Sequence, residues 1–208
     1  MNVHFLDIQI SSKSRFNHQL LISNDQNGTF RKCSSLIKIE IPSSVTSFGR
    51  GVFKGDLSLK EISISSSVAS IKELTYSGCT KLTSVTIPSS VTSIGERAFY
   101  GCSKLVEIII PTSTISIGKR VFEKCASLTQ ITILSSVTSM GERAFDESRN
   151  LSKIILPSFM TSIGENAFIN CSSLNRIAIP SNITSINNGI FIQCSKLIEI
   201  TIPSSVTS

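Results

Sequence analysis

Eight aromatic residues recur at one fixed interval in this chain: Phe30, Phe53, Tyr76, Phe99, Phe122, Phe145, Phe168 and Phe191, each 23 residues after the last, with no insertion or deletion. A period held that strictly requires every unit to have the same rise and to stack on the next, because a segment of this size cannot bury its own apolar face. Stacked turns that contact only their neighbours follow from it. Most positions are then committed to stacking, and function has to reside in the few that the repeat leaves free.

Other columns keep the same step. Leucine opens each unit, at Leu36, Leu59, Leu82, Leu105, Leu128, Leu151, Leu174 and Leu197. A branched aliphatic residue stands three places later, from Ile39 to Ile200, and another two places beyond that, from Ile41 to Ile202. Proline follows in six of eight units, with Ser65 and Leu134 as the exceptions. A glycine column holds Gly49, Gly95, Gly118, Gly141 and Gly164; a cysteine column holds Cys33, Cys79, Cys102, Cys125, Cys171 and Cys194, with Asp56 and Ser148 in its gaps. One unit reads LxxIxIPSSVTSIGxxAFxxCxx, and seven complete units run from Leu36 to Lys196.

The alternating IxI core has the period of a strand with one buried face, and its β-branched residues suit a strand. Proline ends it, since it has no N–H for a ladder, and Ser-Ser makes a bend. VTSIG alternates again and predicts a second, shorter strand. Glycine at the next bend is expected to supply a positive φ. The Ala-Phe-x-x-Cys spacing predicts about one helical turn, α or 3₁₀.

These residues resemble the BspA-like leucine-rich repeat family of bacterial and protozoan surface proteins. Ile87 to Leu105, IPSSVTSIGERAFYGCSKL, carries the likeness most clearly, and it recurs in weaker form across residues 36–208. The resemblance implies a β-rich α/β leucine-rich-repeat solenoid: a parallel sheet with one strand per repeat, a second short strand and a helical turn. It also implies a non-catalytic, surface-displayed adhesion protein that binds a host or extracellular protein. Two units depart from the pattern. Ser65, Lys72 and Tyr76 replace proline, glycine and phenylalanine in one, and Asn187 replaces glycine in the other; irregularity is expected at Lys72.

Domain organisation follows the register. Residues 1–35 read as an irregular N-terminal cap with a decayed half-repeat that places Phe16, His18 and Asp25 at core columns, while Leu6, Ile8 and Ile10 alternate like a strand. Residues 36–208 read as the solenoid, with seven full repeats and a truncated eighth. The strand of that eighth unit is expected to present an open edge that favours self-association.

Composition narrows the function classes. Hydrophobic residues make up 40% and charged residues 16% of the 208, which suits a folded chain. The net charge of +6 is scattered and interleaved with acids, as in Gly-Glu-Arg at 95–97, so no nucleic-acid site is read from it. No apolar stretch is long enough for a membrane span, and Asp7 falls where a secretory leader needs apolar residues. The cell-surface or extracellular location implied by the resemblance therefore stands beside a cytoplasmic alternative, and the adhesin beside an intracellular scaffold. Sequons at Asn27, Asn150, Asn170 and Asn182 become acceptors only in a secretory pathway.

No catalytic, cofactor or metal constellation is read. His4 and His18 are the only histidines and stand in no ligand spacing. Gly49 to Gly55 misses a dinucleotide-loop spacing by one, and Asn24 to Gly28 lacks the closing glutamate of a calcium loop. The carboxylates Glu61 and Glu107 stand two units apart, too far for glycosidase chemistry. The column cysteines are read as buried free thiols, although stacked strands bring them near enough to pair. What remains is the outward side of the long strand. One column is Lys38, Glu61, Ser84, Glu107, Gln130, Lys153, Arg176 and Glu199; its companion is Glu40, Ser63, Thr86, Ile109, Thr132, Ile155, Ala178 and Thr201. The first varies in charge while the buried columns do not, and the second is small or apolar enough to admit a partner closely. Both are expected to bind a protein ligand. A flat threonine array for ice is interrupted by Ile109, Ile155 and Ala178.

Overall fold

Residues 30, 33, 35–134 and 136–207 are described in a computed structural model of the protein. The expected N-terminal cap therefore lies almost wholly outside the described residues.

Each repeat contributes one long strand. These are β1 (Lys38–Glu40), β2 (Glu61–Ser63), β4 (Ser84–Thr86), β6 (Glu107–Ile110), β8 (Gln130–Ile133), β10 (Lys153–Ile155), β12 (Arg176–Ala178) and β13 (Glu199–Thr201). They pair in parallel, in order β1-β2-β4 and β6-β8-β10-β12-β13, and the register equals the repeat, as in Ile62↔Val85 and Ile131↔Ile154. The VTSIG segments form the shorter β3 (Ser70–Ile71), β5 (Ser93–Ile94), β7 (Ser116–Ile117), β9 (Ser139–Met140) and β11 (Ser162–Ile163), which make a second parallel sheet in sequence order.

No helix closes the coil among the described residues, contrary to the expected helical turn. The Ala-Phe-x-x-Cys segment alternates its backbone donors instead. Ala98, Tyr100 and Cys102 donate back three residues to Gly95, Arg97 and Phe99, closing single turns. Between them, Arg97, Phe99 and Gly101 donate across to Lys119, Val121 and Glu123 of the next repeat at 2.8–3.0 Å. Donors spent on a neighbour are lost to the i−4 pattern of an α-helix. Positive φ at Arg97 and Gly101, 52° and 69°, also interrupts any right-handed run. The turns thus form a third ladder, parallel to the two sheets.

The glycine column works by space rather than by φ, which corrects the expectation above: Gly95, Gly118, Gly141 and Gly164 do not have positive φ. A Cβ on Gly118 would lie 2.8 Å from Glu96 N and from Gly95 C, and one on Gly95 would lie 2.6 Å from Glu73 N. These contacts are with the backbone of the preceding repeat, so only glycine lets the short strands approach. The second sheet ends where glycine is absent. Lys72 follows β3, and Ser47 and Phe48 do not join it; Asn187 follows Ser185 and Ile186, which do not join β11. The Asn187 side-chain amide partly replaces the missing ladder by donating to Ile163 O at 2.5 Å, where the glycine N–H does so in other repeats, as Gly118 N does to Ile94 O.

Inside the three ladders the columns meet. In the repeat from Leu105, the side chains Leu105, Ile108, Ile110, Ile117, Val121, Phe122 and Cys125 are all at most 2% exposed. The eight aromatic rings form one stack, with successive centroids 5.2–5.8 Å apart and planes within 18°. Such offset contacts add about 0.5–1.5 kcal/mol each beyond area burial.

The cysteines form a hydrogen-bond column. Each of Cys79, Cys102, Cys125 and Cys171 donates its S–H to the carbonyl of the aromatic residue one repeat earlier, at 3.2 Å. Ser148 does the same with its hydroxyl at 2.8 Å, which explains why serine fits the gap. Asp56 fits less well. Its Oδ1 accepts from Ser58 N and Leu59 N, while Oδ2 is buried without a partner among the described residues, and burial raises its pKa. All six cysteines are free.

Burial raises the thiol pKa throughout the column, to about 12 at Cys125 and about 11 at half-buried Cys194. A thiol pKa raised by folding stabilises the native state fully below the unfolded value near 8.5, and that contribution is lost as pH climbs through the folded value. Unfolding free energy is accordingly expected to fall between about pH 9 and pH 12. In native protein at pH 8, iodoacetamide should label Cys194 first and leave Cys79, Cys102, Cys125 and Cys171 intact by mass spectrometry. Equal labelling would contradict the column.

Candidate protein-interaction face

The outward side of the long strands follows from pleat alone. In β1, β2, β4, β10 and β12 the middle residue is buried and its neighbours are exposed. All sixteen residues of the two outward columns are exposed, from Lys38 and Glu40 through Glu199 and Thr201. They share one side of the solenoid, in two panels, because β4 does not pair with β6.

Charge is arranged unevenly on this side. Lys38 pairs with Glu61 at 3.7 Å and Arg176 with Glu199 at 3.2 Å. Gln130 Nε2 donates to Glu107 Oε2 at 3.3 Å. Lys153, between Gln130 and Arg176, forms no ion pair among the described residues. Beside these groups Ile109 and Ile155 are 61% and 59% exposed, large values for isoleucine in a folded chain. A shallow depression of about 440 Å³ lies over β10 and β12, bordered by Lys153, Arg176, Ala178, Glu199 and Thr201. Pairing between these strands is limited to Lys153↔Arg176, and alanine at position 178 leaves room above the sheet.

Two further exposed apolar residues, Phe159 and Leu134, lie outside the two outward columns. Phe159 is 62% exposed in a column where Ser67, Ser90, Ser113 and Ser205 each donate a hydroxyl to a carbonyl of the preceding repeat. Leu134 is exposed in the proline column. Each forgoes a structural role its equivalents fill, and the signal was present as a broken column.

The turn ladder carries a different chemistry. Its carboxylates are answered locally: Arg50 meets Glu73 at 2.6 Å, Arg120 meets Glu123 at 3.7 Å and Arg143 meets Asp146 at 3.9 Å. Glu123 and Asp146 occupy the same column in adjacent repeats, closer than the Glu61 and Glu107 weighed from sequence. Burial, opposed by Arg120, raises the Glu123 pKa. Among the described residues no cluster of three or more His, Cys, Asp or Glu is placed to hold a metal ion.

The family model for "BspA type Leucine rich repeat region" matches residues 20–125 and 93–208, with six copies. The chain belongs to this BspA-type family. Leucine-rich repeat proteins of the family are generally interaction modules and typically non-catalytic. Among curated proteins, none matches this chain. The BspA-type solenoid is similar to a solved leucine-rich repeat protein of T. pallidum, with 28% identity and a TM-score of 0.60 over 81% of this chain and 71% of that one. It shares its fold with a leucine-rich repeat protein from Bacteroides ovatus, at 22% identity and a TM-score of 0.51 over 86% of this chain. The chain spans 64% of the B. ovatus protein's length.

Proposed function

We propose that this BspA-type solenoid is a surface-displayed adhesion module that binds a protein through the outward columns of its long strands. One observation carries the reading: an exposed run of side chains whose charge changes from repeat to repeat, on a scaffold whose buried columns barely change. Exposed Ile109 and Ile155 beside Lys153 and Arg176 supply the apolar centre and charged rim of an interaction surface. No described helix is long and apolar enough to cross a membrane.

Binding of the purified chain to a panel of immobilised extracellular proteins tests it. Ile155→Asp and Arg176→Glu are expected to weaken capture at least about tenfold, whereas Tyr100→Ser on the turn ladder leaves it unchanged. All three should retain the wild-type circular dichroism spectrum. Equal capture by all variants would remove the strand face from the account.

An intracellular scaffold is the second reading, favoured by six free cysteines in a chain with several stacked thiols. Antibody labelling of the native, full-length protein on intact, unpermeabilised cells separates the two.

A further inference from the structure

The outward columns of three central strands are self-complementary. Along β6, β8 and β10 the first column reads Glu107, Gln130, Lys153 and the second Ile109, Thr132, Ile155, with Cα partners Glu107↔Gln130↔Lys153 and Ile109↔Thr132↔Ile155. Charge inverts across β8 while the apolar pair repeats. Adjacent strands are about 4.8 Å apart, so Glu107 and Lys153 stand about 10 Å apart, and among the described residues they form no ion pair with each other.

Take two copies with these sheets facing, and a two-fold axis running along β8 between them. Each side chain keeps its place along the strand, and β6 exchanges with β10. Glu107 then faces Lys153 of the second copy, twice. Ile109 faces Ile155, twice, and Gln130 and Thr132 meet their own counterparts on the axis. The next strands out set Ser84 against Arg176 and Thr86 against Ala178; one strand further, Glu61 comes opposite Glu199, each already neutralised within its own chain by Lys38 and Arg176. Moving the axis to β6 or β10 would set Glu107 or Lys153 against itself. An isologous contact of this kind is the commonest way identical chains associate, and it uses the carboxylate and ammonium that the single chain leaves unpaired by charge.

We propose that the partner of the strand face is a second copy of this chain, held by Glu107–Lys153 pairs around a centre of Ile109 and Ile155. The proposal rests on the strand-face reading above and names its occupant. Sedimentation equilibrium at about 100 µM, above the constants that modest interfaces reach, should show a dimer for the unaltered chain. Glu107→Lys and Lys153→Glu each place like charges opposite one another twice, and each is expected to weaken dimerisation at least about tenfold. Mixed in equal amounts, the two variants should form a heterodimer, and the double variant Glu107→Lys/Lys153→Glu should dimerise again.

A monomeric unaltered chain would overturn the pairing. So would dimers that persist unchanged in both single variants, because the contact would then lie elsewhere. Neither result removes the strand face as a binding surface, which stands or falls on heterologous capture by Ile155→Asp.

Discussion

Phe122→Ala is expected to lower the unfolding free energy by about 4–5 kcal/mol, measured by urea denaturation at neutral pH. The ring is fully buried and stacks on Phe99 at 5.5 Å and on Phe145 at 5.3 Å. Truncation leaves a cavity between two repeats and removes two ring contacts together. Stability in a linear stack is close to a sum of repeat and neighbour terms, so one central change weakens two interfaces. Phe191 is only partly buried, and Phe168 is its one ring neighbour among the described residues. Phe191→Ala should cost no more than about half as much. Equal losses at both positions would show that the stack does not couple repeats.

The second large effect is expected from one methyl group. Gly141→Ala places a Cβ 2.5 Å from Lys119 N and 2.6 Å from Gly118 C. Both are backbone atoms of the preceding repeat, so β7 and β9 must separate. The cost should reach about 3 kcal/mol, the upper part of the range for overpacking. The same change should speed hydrogen exchange of the Gly141 amide, which donates to Ile117 O at 2.9 Å. Gly51 provides the contrast, because an added Cβ meets nothing nearer than 3.5 Å there and its φ is 64°. Gly51→Ala costs only about 1–2 kcal/mol through left-handed backbone. If Gly141→Ala were as mild as Gly51→Ala, close approach would not be what glycine provides.

The stack is legible in the sequence because stacking is one-dimensional: Phe99, Leu105 and Ile108 recur at a step that fixes their neighbours without any long-range guess. Alternation in the IxI and VTSIG segments likewise gave two strands per unit and the outward columns. It failed where the deciding bond joins two units. Ala98, Phe99 and Cys102 have helical spacing, and nothing inside one repeat says that the Phe99 N–H goes to Val121 O. Glycine misled for a related reason. Its identity does not reveal whether positive φ or the missing Cβ is required, and the answer lies in the backbone of the previous repeat. Pairing on the candidate face, such as Gln130 with Glu107, depends on rotamers and was not legible at all. The broken columns at Phe159 and Leu134 were legible as substitutions, but their exposure was not.

Lysine acetylation by a limiting reagent, read by mass spectrometry at about 1 µM and about 100 µM protein, tests most directly whether the strand face is the contact surface between two copies. Lys153 should react several times more slowly at the higher concentration, while Lys81 and Lys104, exposed off the strand columns, keep their rates. Lys153 reacting alike at both concentrations, or slowing no more than Lys81 and Lys104, would contradict the pairing of two copies through this face.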